Sequence, residues 1–180
     1  DVPRLGGLRW GFMQPGIFLW FVVLDDGRIY VERELPIEQT LAKDVALTVR
    51  AMTAMKGHSL HAVYGNRDMG DVEGGEDIFE TLARHELFVQ PSKHDPVIGW
   101  QRLRHWLHPM DDGRPALIVN PSCETLIRTL PQLIVSETDP EDVHKDSPST
   151  AAKALRYFVM SRPFPLPMTQ AKIYPKDSAG

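Results

Sequence analysis

The 180-residue chain is 42% hydrophobic, enough to bury the core of one globular domain, and sets 20 Lys and Arg against 24 Asp and Glu, a formal net charge of -4. That balance excludes the global basic character of an indiscriminate nucleic-acid binder, so any contact with DNA has to come from a local patch. Cys123 is the one cysteine, which excludes an intramolecular disulfide and suits a reducing, cytoplasmic setting. The longest apolar run, residues 16–24, is about half of the roughly 20 residues that a membrane-spanning helix needs, and no signal-peptide pattern opens the chain. The sequence therefore reads as soluble, with no membrane partner. It opens at Asp1 without a methionine, as a piece of a longer polypeptide would.

In chain order, residues 8–12 and 17–24 are aromatic and β-branched, and Asp25-Asp26-Gly27 then supplies a tight turn into residues 28–34. This predicts a strand followed by an antiparallel hairpin. Pro36 opens a segment in which Leu41, Val45, Val49 and Met52 recur at helical spacing, closed by Gly57. A short apolar strand over 60–64 runs into a glycine-rich loop over 65–75. A helix over 76–85 follows, with Ile78, Phe79 and Leu82 inward. A strand over 87–89, a helix over 99–108, a strand over 116–119 and helices over 123–130 and 149–160 complete the pattern. Strands and helices alternate after the hairpin, which predicts an α/β domain with a mixed sheet and helices on both faces. The domain spans residues 1–162; residues 163–180, rich in Pro, Lys and Ser, read as a C-terminal tail or linker.

No phosphate-loop or dinucleotide-binding glycine motif is present. His58 and His61, and His105 and His108, lack the Cys or Glu partners of a metal site and read as surface or packing residues. Cys123 falls at a predicted helix N-terminus, where a thiolate would be stabilised, but no motif supplies a partner base. In the helix over 99–108, Trp100, Leu103 and Leu107 form an apolar stripe, with Gln101, Arg104, His105 and His108 directed elsewhere. Two readings stand: an amphipathic helix with a solvated basic face, or one whose Arg102 and Arg104 contact phosphates without regard to base sequence.

Several separated segments resemble one family. Trp10-Gly11-Phe12, Pro15-Gly16 and Asp26-Gly27-Arg28-Ile29-Tyr30-Val31 resemble its opening strands. Gly75-Glu76-Asp77-Ile78-Phe79 and Gly99-Trp100-Gln101-Arg102-Leu103 resemble its middle. Cys123-Glu124-Thr125-Leu126-Ile127-Arg128-Thr129-Leu130-Pro131, Asp139-Pro140-Glu141-Asp142-Val143 and Ala154-Leu155-Arg156-Tyr157 resemble its closing third. Together, in this order, they resemble the C-terminal nuclease domain of the bacteriophage terminase large subunit.

The resemblance implies a ribonuclease H-like sheet holding two divalent metals, Mg or Mn, that cut phage DNA during packaging, with hard carboxylate oxygens as ligands. It also implies double-stranded phage DNA, a terminase ATPase domain, a small subunit and a portal as partners, in the host cytoplasm. The family's acid positions are occupied here by Arg9, before Trp10-Gly11; by Asn66, after Val63-Tyr64-Gly65; and by Ser149 and Lys153 on the last helix. Ser149, Lys153 and Arg156 share one helical stripe. A face that should hold metal is neutral and basic, so no metal or other cofactor is expected in this chain. A pseudo-nuclease with a degenerate active site follows, retaining DNA binding through Arg102, Arg104, Lys153 and Arg156, or a role in assembling the packaging complex. Two alternatives are an active Mg- or Mn-dependent endonuclease using displaced carboxylates, Asp68 and Asp146, with Asp71 and Glu73 nearby, and a purely structural docking module.

Overall fold

The computed structural model describes residues 2–70, 77–93, 95–138 and 142–161. The predicted acids Asp71 and Glu73, the motif residues Gly75, Glu76, Asp139, Pro140 and Glu141, and the tail over 163–180 lie outside the described residues.

Six strands form one mixed sheet: β1 (Arg4–Arg9), β2 (Gly16–Val23), β3 (Ile29–Ile37), β4 (Leu60–Gly65), β5 (Val89–Pro91) and β6 (Leu117–Val119), in the spatial order β5-β4-β1-β2-β3-β6. The β1-β2 and β2-β3 pairs are antiparallel, whereas β4 joins β1, β5 joins β4 and β6 joins β3 in parallel. Five helices cover the sheet: α1 (Ala42–Ala54), α2 (Ile78–Arg84), α3 (Pro96–Leu107), α4 (Glu124–Thr129) and α5 (Thr150–Met160). Alternate residues of β2 feed two cores. Ile17, Leu19 and Phe21 pack with α3, α4 and α5, while Phe18 and Trp20 pack with α1 and α2. A strand buried on both faces reads as a continuous apolar run, as this one does. Phe21 stacks on Phe158 of α5 with ring centroids 4.0 Å apart. No helix among the described residues is long and apolar enough to cross a membrane.

Several boundaries differ from the sequence expectation, each for a physical reason. The first strand is Arg4–Arg9 rather than residues 8–12, because Gly6 and Gly7, weak strand formers by composition, lie inside it. They are there for close approach: a side chain at position 7 would come within 2.5 Å of the Ala154 carbonyl oxygen. Pro36 does not open a helical segment but lies inside β3, paired with Ile17. Since β6 covers only Ile29 to Val31, the far half of β3 is an edge, where proline is tolerated. Leu41 is exposed at the start of α1, and Ala42 and Ala46 join Val45 and Val49 on the buried stripe. In α3 the stripe is Trp100, Leu103 and Trp106, with Leu107 exposed. That helix begins at Pro96, earlier than predicted, because Asp95 accepts the Ile98 amide as N-cap and proline suits the first turn.

Candidate functional site

The C-terminal ends of β1 and β4 lie side by side, since the two strands are parallel and Leu8 is in register with Gly65. Beyond them Arg9 and Asn66 enter a cleft of about 580 Å³, closed on one side by Ser92, Lys93 and Asp95 between β5 and α3, and on the other by Lys153, Arg156 and Tyr157 of α5. Strand alternation explains the convergence. Leu8 points into the α1-α2 core, so Arg9 points to the opposite face, where Gly7 lets α5 come close. Lys153 and Arg156, three apart on α5, share the face that meets it.

Asn66 is nearly buried and makes two directed contacts. Its side-chain oxygen accepts the Trp10 amide at 2.8 Å, and its amide nitrogen donates to Asp68 Oδ1 at 2.6 Å. Asp68 also lies 3.7 Å from the Arg9 guanidinium. Partial burial pushes the Asp68 carboxyl up, but the Asn66 hydrogen bond and the Arg9 charge outweigh it, and the net shift is downward. Burial lowers the Lys153 ammonium below its usual range, and the neighbouring Arg9 and Arg156 charges lower it further. Burial likewise lowers Arg156 and raises the Tyr157 hydroxyl.

Arg156 is held in place from below. Its guanidinium lies over the Trp100 ring, 4.5 Å from the centroid, and the Trp100 indole donates to Asp142 Oδ1 at 2.7 Å. Position 99 has to be glycine for this: a Cβ there would sit 2.7 Å from Arg156 Cδ and 2.8 Å from its Cγ. The cleft therefore presents three cationic side chains to a single carboxylate at its wall, Asp68, and a second at its rim, Asp95.

Of the residues singled out from the sequence, Arg9, Asn66, Asp68, Lys153 and Arg156 converge in this cleft. Ser149 is buried at the start of α5, its carbonyl accepting the Lys153 amide, and does not line it. Asp146 is exposed, faces His144 and lies outside the lining. Arg102 donates to the Met160 carbonyl at 2.8 Å, closing the C-terminus of α5, and neither it nor the exposed Arg104 lines the cleft. Sequence reasoning missed Gly99, Trp100 and Asp142 as the support of Arg156. The signal lay in the motif Gly99-Trp100, where an absent side chain is followed by a flat aromatic one. Cys123 is fully buried, and burial, with the Glu34 charge adding to it, pushes its thiol up to about 11, against a nucleophilic role. Among the described residues no three His, Cys, Asp or Glu side chains are grouped so as to hold a metal ion. A second hollow of about 520 Å³ between α1 and the start of β4 is lined largely by apolar groups, and its Arg50 and Glu86 pair with each other.

No protein-family model matches the sequence, and no curated protein matches it. Solved structures do resemble the fold. The P22 large terminase nuclease domain matches at 18% identity with a TM-score of 0.69, covering 91% of this chain and 81% of that one. The large terminase nuclease from thermophilic phage G20c with bound cobalt matches at 14% identity and a TM-score of 0.62, covering 90% and 82%. A full-length large terminase from another thermophilic bacteriophage matches at 14% identity and a TM-score of 0.72; 89% of this chain is covered, and the chain spans 39% of that protein's length. At these identities the likeness is one of fold. The chain has the α/β, ribonuclease H-like fold seen in phage large-terminase nuclease domains.

Proposed function

We propose that this chain is a terminase-type nuclease domain by lineage that binds the phosphate backbone of double-stranded DNA in the Arg9–Lys153–Arg156 cleft and does not cleave it by a two-metal mechanism. One observation carries this reading: at the ends of β1 and β4 and on α5, the walls of the cleft supply cations and amide donors. The G20c nuclease is described with bound cobalt. Paired divalent ions require several carboxylate oxygens, and here the Asp68 carboxylate is engaged by Asn66 and Arg9, while the Asn66 oxygen is engaged by the Trp10 amide. A unit positive charge 4 Å from another costs about 4 kcal/mol at an effective dielectric of about 20, and a divalent ion doubles it. Arg9 and Lys153 therefore oppose the metals that acids at those positions would attract. The same cations suit a phosphate, with Arg156 able to offer a two-pronged donor.

Such a domain would act in a packaging complex in the host cytoplasm, beside an ATPase domain, a small subunit and a portal. Titration calorimetry with Mn2+, a plasmid-nicking assay and fluorescence anisotropy with duplex DNA test the reading together. Expected are no stoichiometric Mn2+ binding, no nicking, and salt-dependent DNA binding that weakens on Lys153→Glu. Tight Mn2+ binding with nicking overturns it. If that nicking disappears in Asp68→Ala, the displaced-carboxylate endonuclease is the correct alternative. Absence of DNA binding leaves the structural docking module.

A further inference from the structure

We infer that the cleft is built to hold a terminal phosphate monoester at a DNA strand end, with Lys153 and Arg156 as its two charge partners. This rests on the DNA-binding reading above and narrows it from backbone to strand end.

The first argument is size. At about 580 Å³ the cleft has the dimensions of a small-ligand pocket. It is walled by the β5-α3 connection and by α5, so a duplex cannot enter, whereas the end of one strand can. The second argument is charge. Asp68 lies against Arg9, which leaves that pair near neutral. Among the described residues no carboxylate comes within the 4.0 Å ion-pair distance of Lys153 or Arg156, although both are partly buried. Two uncompensated positive charges on one face of α5 therefore await about two negative charges. A backbone diester brings one; a terminal monoester brings between about 1.5 and 2 at neutral pH and has three acceptor oxygens. The third argument is pre-organisation. Arg156 is fixed on the Trp100 ring, Trp100 is fixed by Asp142, and Gly99 keeps the space open. A guanidinium held in one orientation loses little freedom on binding and meets two oxygens of one phosphate at once.

The test uses the whole chain and four duplexes of identical sequence: 5′-phosphorylated, 3′-phosphorylated, 5′- and 3′-hydroxyl, and a covalently closed dumbbell without ends. Affinities are read by competition against a labelled duplex at fixed salt. Expected is at least about tenfold tighter binding of one of the phosphorylated duplexes than of the hydroxyl duplex or the dumbbell. Lys153→Gln and Arg156→Gln should each reduce that preference severalfold, with melting temperature monitored to show that the variant is folded. Equal affinity for all four duplexes, with binding still salt-dependent and weakened by Lys153→Glu, overturns this inference and leaves the backbone reading intact. No binding of any duplex overturns both. The comparison among duplexes is made on the unmodified chain, so it decides the matter even if a variant fails to fold.

Discussion

Replacing Asn66 by Asp restores an acid at a position where the family resemblance expects one, yet the surroundings predict damage rather than repair. Asn66 donates to the Asp68 carboxylate at 2.6 Å and accepts the Trp10 amide at 2.8 Å, and an aspartate can keep only the second contact. A hydrogen bond to a charged group contributes about 1.5–3 kcal/mol, and the low end applies because the Asp68 side chain is 63% exposed. Two carboxylates facing each other add about 1 kcal/mol of repulsion in a water-like dielectric. The sum, about 2–3 kcal/mol, lowers the melting temperature of a domain of this size by roughly 4–12 °C. The pH dependence follows from linkage. Like-charge repulsion raises one of the two folded-state carboxyl pKa values above its unfolded value, so the folded variant binds the extra proton more readily. The penalty is then complete at neutral pH and shrinks as pH falls through that raised value. In the unmodified chain the Asp68 pKa is depressed, so its contribution is intact above 3.8 and is lost only as pH falls through its folded value. Urea denaturation of both proteins at pH 7 and pH 5 measures the gap. A variant as stable as the parent at pH 7, or a gap that does not narrow toward pH 5, would refute the assignment of the Asn66 amide as the donor that holds Asp68.

Gly99→Ala opposes two effects: alanine favours the helix by about 1 kcal/mol, while crowding of Arg156 costs about 1–3 kcal/mol and displaces it from a cation–π contact worth about 0.5–2 kcal/mol. A net loss of about 1–2 kcal/mol by urea denaturation is expected, with DNA affinity reduced severalfold and no further reduction when Arg156→Ala is added. Glu34→Ala removes the acceptor of the Thr125 and Leu126 amides at the start of α4, at 2.7 and 3.0 Å, and is expected to cost about 1–2 kcal/mol in the same assay. Lys153→Met is expected to stabilise the free protein at pH 7, because burial and the charges of Arg9 and Arg156 disfavour the ammonium. The sign is that of a lysine with a lowered folded pKa. The penalty is present below that pKa and relieved as pH rises toward 10.5, so the advantage of the methionine variant should shrink in urea midpoints taken from pH 7 to 10.

Much of the fold was legible because its strongest signals are local. The Asp-Gly turn between β2 and β3, the apolar run of β2 and the helical stripe around Val45 and Val49 each announce their element without help from the rest of the chain. What was not legible depends on contacts distant in sequence. Gly6 and Gly7 look like strand breakers until α5 is seen lying against them. Trp106 rather than Leu107 faces the core because α3 packs on α5, which fixes its rotation. Around the cleft, Arg9, Asn66 and Lys153 could be named from the order of motifs, but Ser149 follows the same helical stripe and still ends up buried beside the helix start. Arg102 was grouped with Arg104 as a surface cation, whereas its guanidinium satisfies a carbonyl at the end of α5. One-dimensional charge patterns do not separate a capping arginine from a binding one.

The arrangement of the cleft is costly to folding, and that cost bears on its use. Gly7 brings α5 against β1, so that whatever stands at positions 9 and 153 is held at short range. With acids there, a divalent ion would hold the group together; with Arg9, Lys153 and Arg156, nothing within the described residues does so beyond Asp68 on Arg9 and the Trp100 ring under Arg156. A chain under no demand for binding could relieve the crowding by one substitution, since methionine at position 153 would fill the same apolar stem space without the charge. Retaining cations that depress one another is the pattern of a site whose compensating charge arrives from outside. Under the proposed function that charge is the phosphate of DNA, and the free energy that crowding takes from folding is returned on binding.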